Sequence, residues 1–204
     1  DAWKILDFTS VVLKTIVRQN DNSEYAKILS RVRRGDRSCV DFIMNRITDD
    51  SQVPQSAVMV YSKNIDVDSY NNRKLNEIKS KLESFESNDS GSDFYLNQLD
   101  RNCMAQKRLD LKVGAQVMCL KNIQGTNVVN GSIGRVEKIS DDSVDVRFKF
   151  GVMNLTRETW SIEESIISEG KVKTRVLASR KQIPLKLSWA STIHRVQGAT
   201  LDEV

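Results

Sequence analysis

The residues best suited to chemistry crowd into the final stretch of the chain, Pro184 to Val204. An apolar run there leads into a short helical pattern that carries His194, the only histidine in 204 residues, followed by Arg195 and Gln197. Gly198 breaks the pattern, and Thr200 and Asp202 follow it. Polar and cationic groups at a helix end beside a glycine turn suit the reading of phosphate or backbone. The alternative for His194 is a helix residue bonded to a nearby carbonyl. A second polar pair, Arg18-Gln19, ends an extended apolar segment at Val17, and on residue type alone an ordinary ion pair is the simpler reading of Arg18. The chain ends after Val204 without a terminating feature and reads as a piece of a larger protein.

Other chemistries find little support. Cys39, Cys103 and Cys119 are far apart and odd in number; with one histidine they make no zinc set, and they fit a reducing compartment. The formal charge of +4 permits a nucleic-acid partner without requiring one. The basic residues cluster at Arg31, Arg33, Arg34 and Arg37, and again from Lys171 to Lys186; a solvated face explains such clusters as readily as phosphate does. Apolar runs are only a few residues long, so no membrane span is expected, and residues 1–4 show no secretory pattern.

Several elements must position these groups. Residues 3–17 suggest a short helix or loop and then an extended segment. Tyr25, Ile28, Leu29 and Val32 recur at helical spacing, with Gly35 as the stop. Ser38 and Asp41 resemble a capping box for a second helix lined by Val40, Ile43, Met44 and Ile47. Ala57 to Tyr61 reads as a buried strand. A helix capped by Asp66 follows, with Val67, Asn71, Leu75, Ile78 and Leu82 on one face. Asn71 on that face is either a packing amide or a group that fixes the preceding loop. Residues 83–107 are polar and read as a turn or a disordered tip around Ser87–Asp93.

From Leu109 onward short strands and tight turns dominate. The strand around Val113 to Cys119 is apolar on both faces, Asn130-Gly131 is a strong turn dipeptide, and Val144, Val146, Phe148 and Phe150 alternate. This predicts a β-barrel-like module of about 50 residues inside an α/β domain. Residues 161–182 are charged and hard to place, and a helix is expected from about Leu187 to Gln197. Trp160 and Trp189 sit in apolar patterns that favour core packing over base stacking.

Four segments, in order, resemble the Pif1 and RecD-like branch of superfamily 1 DNA helicases. Val17-Arg18-Gln19 looks like motif IV. Leu111 to Asn122 and Val129 to Gly134 are similar to Pif1 signatures. Trp189 to Asp202 looks like motif V. The fold this implies is α/β: the second RecA-like motor domain, of P-loop NTPase type but lacking the P-loop, interrupted by a small SH3-like insertion of the 2B kind. The expected boundaries are residues 1–17 for the tail of a first RecA-like domain or a linker, 18–105 for the first part of the second, 106–182 for the insertion, and 183–204 for the return segment with motif V.

The resemblance implies an ATP-dependent helicase that steps along single-stranded DNA and unwinds duplex, with 5′-to-3′ movement. Arg18 would reach the γ-phosphate, where a guanidinium fork suits the developing charge. Gln19, Gln197 and Gly198 would stand on the nucleotide side, Gly198 mainly as a turn. Lys63, Asn64, Thr192, His194, Arg195 and Thr200 would face DNA; Lys121 and Arg135 in the insertion are weaker candidates. ATP and Mg2+ would be held mainly by the first RecA-like domain. No GxxxxGK[ST] loop occurs here, and Asp49-Asp50 and Asp141-Asp142 lie in turns, so these residues alone are not expected to hydrolyse ATP. Expected partners are single-stranded and forked or partial-duplex DNA. The expected setting is inside a cell (nucleus, mitochondrion or bacterial cytoplasm, or a host cell for a virus), with a monomeric motor. The rivals are a non-catalytic nucleic-acid-binding module and a helicase-fold scaffold that has lost activity.

Overall fold

The computed structural model describes residues 6, 9–12, 23–49, 52–54, 57–168 and 171–197. The chain divides into two compact units, residues 1–53 and 54–204.

In the first unit, helix α1 (Ser23–Arg33) follows the expected apolar spacing and stops at Gly35, whose φ of 70° is a left-handed conformation suited to glycine. A 3-10 turn (Arg37–Cys39) and helix α2 (Val40–Met44) follow. The expected capping box is replaced by a tighter local bond, in which the Ser38 amide donates to Asp36 Oδ1 at 2.9 Å. Helix α2 ends at Met44, leaving Ile47 outside it. The expected reading of residues 3–17 falls almost wholly outside the described residues.

The second unit holds the core. Strand β1 (Met59–Tyr61) runs into helix α3 (Asn64–Glu77). This helix starts three residues earlier than expected: Lys63 is its N-cap and makes no side-chain cap bond, while Asp66 lies in the first turn, where its charge favours the helix dipole. Val67, Asn71 and Leu75 form the buried face, as the spacing predicts, but the helix ends at Glu77, so Ile78 is its C-cap and Leu82 falls outside it in the next strand.

Residues 83–107 are the largest departure from expectation. They form β2 (Leu82–Glu86), β3 (Asn88–Gly91) and helix α4 (Asp93–Asn102). The local pattern is too polar to announce these elements because long-range ion pairs, described below, hold them.

Strands β4 (Arg108–Lys112), β5 (Gln116–Cys119), β6 (Ile133–Ser140), β7 (Ser143–Phe148) and β8 (Gly151–Thr156) follow. The hard-to-place segment forms a long hairpin, β9 (Glu158–Ser168) and β10 (Lys171–Gln182). The chain then returns through β11 (Leu185–Leu187), β12 (Ala190–Thr192) and the single turn of helix α5 (Ile193–Val196). The helix expected from Leu187 is therefore mostly strand. Short apolar runs do not distinguish the two by periodicity alone; pairing with β1 decides it here.

Four sheets result: parallel β1-β12, antiparallel β2-β4, β3-β10-β9, and the five-stranded antiparallel β11-β5-β6-β7-β8. Leu109, Leu111, Val117, Val136, Val144, Val146, Leu155, Ile183 and Leu185 fill the core between them. All four residues of β5 are buried, matching its two-faced apolar pattern. Gly134 on β6 has no room for a side chain: a Cβ there would lie 2.6 Å from Val146 Cγ1. Phe150 does not continue the alternation of β7; it sits 67% exposed in the turn to β8.

Asn71 ties the return segment to α3. Its Nδ2 donates to the Ala190 carbonyl at 3.2 Å, and the Ala190 amide donates to its Oδ1 at 2.9 Å, both buried. Replacing Asn71 by alanine strands two buried backbone groups, each costing about 1–3 kcal/mol. Chemical denaturation of Asn71→Ala is expected to show a loss of about 2–4 kcal/mol with an unchanged m-value.

Candidate nucleic-acid interface

The parallel β1-β12 pair sets the geometry of the site. Tyr61 lies opposite Thr192, so both strands end at the same edge. From β1 the chain passes through Ser62 and Lys63 into α3; from β12 it passes directly into α5. Lys63 and Asn64 therefore stand at the same carboxyl edge as Thr192, His194 and Arg195. Ligands of open α/β sheets bind outside the carboxyl ends of parallel strands.

Each expected residue has its own environment. Lys63, Asn64, His194, Arg195 and Gln197 are exposed, whereas Thr192 is 6% exposed and caps α5 without a side-chain cap bond. The Gln197 amide donates to the Ile193 carbonyl at 3.1 Å, closing the turn. Arg18, Gln19, Gly198 and Thr200 lie outside the described residues, as does Asp202. Of the weaker candidates, Arg135 is exposed on β6, while Lys121 is engaged: its ammonium bonds the Thr159 carbonyl at 2.6 Å and sits 4.9 Å above the Trp160 ring. Trp160 is thus half-buried beneath a cation, and Trp189 is in the core.

Behind this edge is a cleft that sequence reasoning did not find. Its two lobes, about 280 and 480 Å³, share Asp68, Gln106, Arg108, Lys186 and Arg195. Asn64 and Arg101 line the larger lobe, and Asn71 and Ser191 the smaller. Lys186 was legible only as one member of a basic cluster; its place on β11 puts it in the cleft wall. Burial first, and the neighbouring Arg195 second, push its pKa down to about 8.

Arg180 also lines the larger lobe, but it is fully committed to structure. Its guanidinium reaches Asp89 at 2.7 and 3.0 Å, Asp100, and the Ala105 carbonyl at 3.2 Å. This buried network pins β3 and α4 against β10. Burial raises the pKa of the Cys103 and Cys119 thiols, which disfavours the thiolate. Among the described residues no group of three or more His, Cys, Asp or Glu is placed to hold a metal ion.

Comparison with known proteins decides the family. The model for the DNA helicase Pif1 2B domain matches residues 94–139. The ATP-dependent DNA helicase Pif1 of Bdellovibrio bacteriovorus is 32% identical across 100% of this chain. This chain belongs to the Pif1-like helicases of superfamily 1. It spans 45% of the Bdellovibrio protein, less than half of that relative's length. The crystal structure of Pif1 helicase from Candida albicans superposes with a TM-score of 0.70 at 30% identity, covering 100% of this chain and 51% of that one. A Bacteroides Pif1 in complex with ADP-AlF3 and ssDNA superposes at 0.64 with 25% identity, covering 94% of this chain and 44% of that one. The α/β fold with its sheets is that of Pif1 helicase structures.

The network around Arg180 gives a pH signature. The guanidinium holds the Asp89 carboxyl below its ordinary range. A depressed carboxylate contributes stability that is full above its unfolded-state pKa and is lost as pH falls through the folded-state value. Unfolding free energy is therefore expected to drop as pH falls below about 4. Asp89→Asn should lower stability at neutral pH by about 3 kcal/mol and flatten this acid limb. Denaturant titrations at a series of pH values check both.

Proposed function

We propose that this chain supplies the second motor half of an ATP-dependent DNA helicase that moves 5′ to 3′ on single-stranded DNA and opens duplex ahead of it. The observation that carries this reading is the shared carboxyl edge of β1 and β12, where Lys63 and Asn64 stand with His194 and Arg195. In this reading β1, α3, β12 and α5 belong to the second RecA-like domain, expected over 18–105 and from 183 onward. The five-stranded sheet belongs to the SH3-like insertion expected over 106–182, which draws β11 from the return segment and packs beside strands from 82–91. The similarity to ATP-dependent DNA helicases, and to the Bacteroides Pif1 in complex with ADP-AlF3 and ssDNA, supports it.

Each residue then has a task. Lys63, Arg195 and the Asn64 amide contact backbone phosphate or sugar, with Thr192 and Thr200 adding hydroxyls and His194 a ring nitrogen. Such contacts hold the strand regardless of sequence, as a translocating motor requires. Arg18 reaches the γ-phosphate of a nucleotide bound between two motor domains, and Gln19, Gln197 and Gly198 link that side to the DNA edge. ATP brings the phosphoryl group to be transferred, and Mg2+ offsets its charge. The sequence holds no GxxxxGK[ST] loop and the described residues form no magnesium set, so both are assigned mainly to the first RecA-like domain, and no step is built on them.

DNA-stimulated ATP hydrolysis by the complete protein tests this. The complete protein should hydrolyse ATP, and Arg18→Ala should lose about a thousandfold in turnover while still binding nucleotide. The isolated 204-residue chain should be inactive. Arg195→Ala should weaken single-strand binding and reduce the salt slope by about 0.7. Duplexes with a 5′ tail should be unwound in preference to those with a 3′ tail. A folded complete protein that binds DNA without hydrolysing ATP would instead establish the binding-module or inactive-scaffold reading.

A further inference from the structure

One charged group in the cleft has no part in the roles above. Lys186 is the middle residue of β11, opposite Met118 across the ladder. The strand turns Leu185 into the core and sends Lys186 to the other face, where it lines both lobes of the cleft while remaining only 7% exposed. It makes no ion pair or hydrogen bond with any described residue, and neither does the Arg195 guanidinium beside it.

A buried ammonium normally has a partner, because desolvating it without one is costly. The nearby carboxylates do not meet that need. Asp110, from β4, accepts from Arg108 at 2.9 Å and from Ser84 at 2.6 Å. Asp100, from α4, is taken by Arg180. Asp68, from α3, lines both lobes without an ion pair to either cation. Gln106, Asn71, Asn72 and the Ser191 hydroxyl, buried without a partner among the described residues, also line the smaller lobe, while Arg108 lines both lobes and Arg101 and Lys107 the larger. Two adjacent cations in the wall of a cleft, neither with a partner among the described residues, suit an anion.

We propose that Lys186, together with Arg195, clamps one backbone phosphate of the bound single strand inside this cleft. The proposal rests on the DNA-binding reading above and goes beyond it by extending the contact from the exposed sheet edge to β11. Much of the desolvation cost of Lys186 is met when the chain folds, so less remains to be met on binding. A phosphodiester also relieves the repulsion between Lys186 and Arg195. Because it favours the protonated ammonium, binding takes up a proton near the pH where Lys186 titrates in the free protein.

The test uses the complete protein, a labelled oligodeoxythymidylate, and the variants Lys186→Met and Lys186→Arg. Lys186→Met should weaken binding about tenfold near neutral pH and reduce the salt slope by about 0.7. Wild-type affinity should fall as pH rises through about 8. Lys186→Met should lack that fall, and Lys186→Arg should keep affinity without it. Thermal unfolding of Lys186→Met at or above the wild-type temperature shows that the loss is not misfolding. Wild-type affinity and pH profile in a folded Lys186→Met, with Arg195→Ala still impaired, would overturn this inference and leave the helicase reading standing. Unchanged DNA affinity with a raised KM for ATP would assign the cleft to nucleotide phosphate and also overturn it. A wild-type protein that does not bind single-stranded DNA would remove the DNA-binding reading and the inference with it.

Discussion

Everything at the carboxyl edge of β1 and β12 depends on one amide. Parallel strands β1 and β12 are each three residues long, too short to hold one another by their ladder alone. Asn71 supplies the missing constraint by pairing with both backbone groups of Ala190 from the middle of α3. This fixes where β12 lies on the helix, and so where α5 begins. Lys63 and Asn64 lead into the same α3, so one side chain sets the relation between both groups of site residues. Its geometry suits the task, since an asparagine amide holds an N–H donor and a carbonyl acceptor side by side in one plane, to meet the carbonyl and amide of Ala190.

The return segment repeats this device along its length. Gln116 Nε2 holds the Ser188 carbonyl at 3.1 Å. Gln182 Nε2 reaches the Phe85 and Gln106 carbonyls, and its Oε1 accepts from the Ile183 amide. Arg180 gathers two carboxylates and a carbonyl. From Arg180 to Thr192 the chain passes between sheets where no single ladder accompanies it for more than a few residues, and buried side chains satisfy the backbone in its place. Lys186 departs from this rule, as do the Ser188 and Ser191 hydroxyls, but it alone of the three carries a charge.

What the sequence made legible follows from how locally each feature is determined. The face of α3, the two-faced burial of β5, the alternation of β7 and the glycine stop after α1 are set by near neighbours and could be read directly. The parallel pairing of β12 was hidden because a short apolar run looks alike as strand or helix. Helix α4 and strand β3 were hidden because Arg180, far along the chain, pins Asp89 and Asp100. His194 and Arg195 could be read from residue type at a helix end, Lys63, Asn64 and Thr192 entered through the family resemblance, and the strand register brings all five to one edge. The cleft could not be read at all. It exists only where α3, the loop before β4, and β11 come together, and periodicity carries no information about such a meeting.

The bond between Asn71 and Ala190 joins positions 119 residues apart. Loop-closure entropy opposes such a contact until the intervening chain has become compact. During synthesis β1 and α3 emerge long before their partner strand exists, so the edge they share with β12 can form only once residues 190–192 have been made. The strands from Leu82 to Gln182 can pair among themselves meanwhile, and doing so brings the ends of the long loop together. Pairing within the β-rich middle of the chain thus shortens the effective loop that the parallel pair has to close.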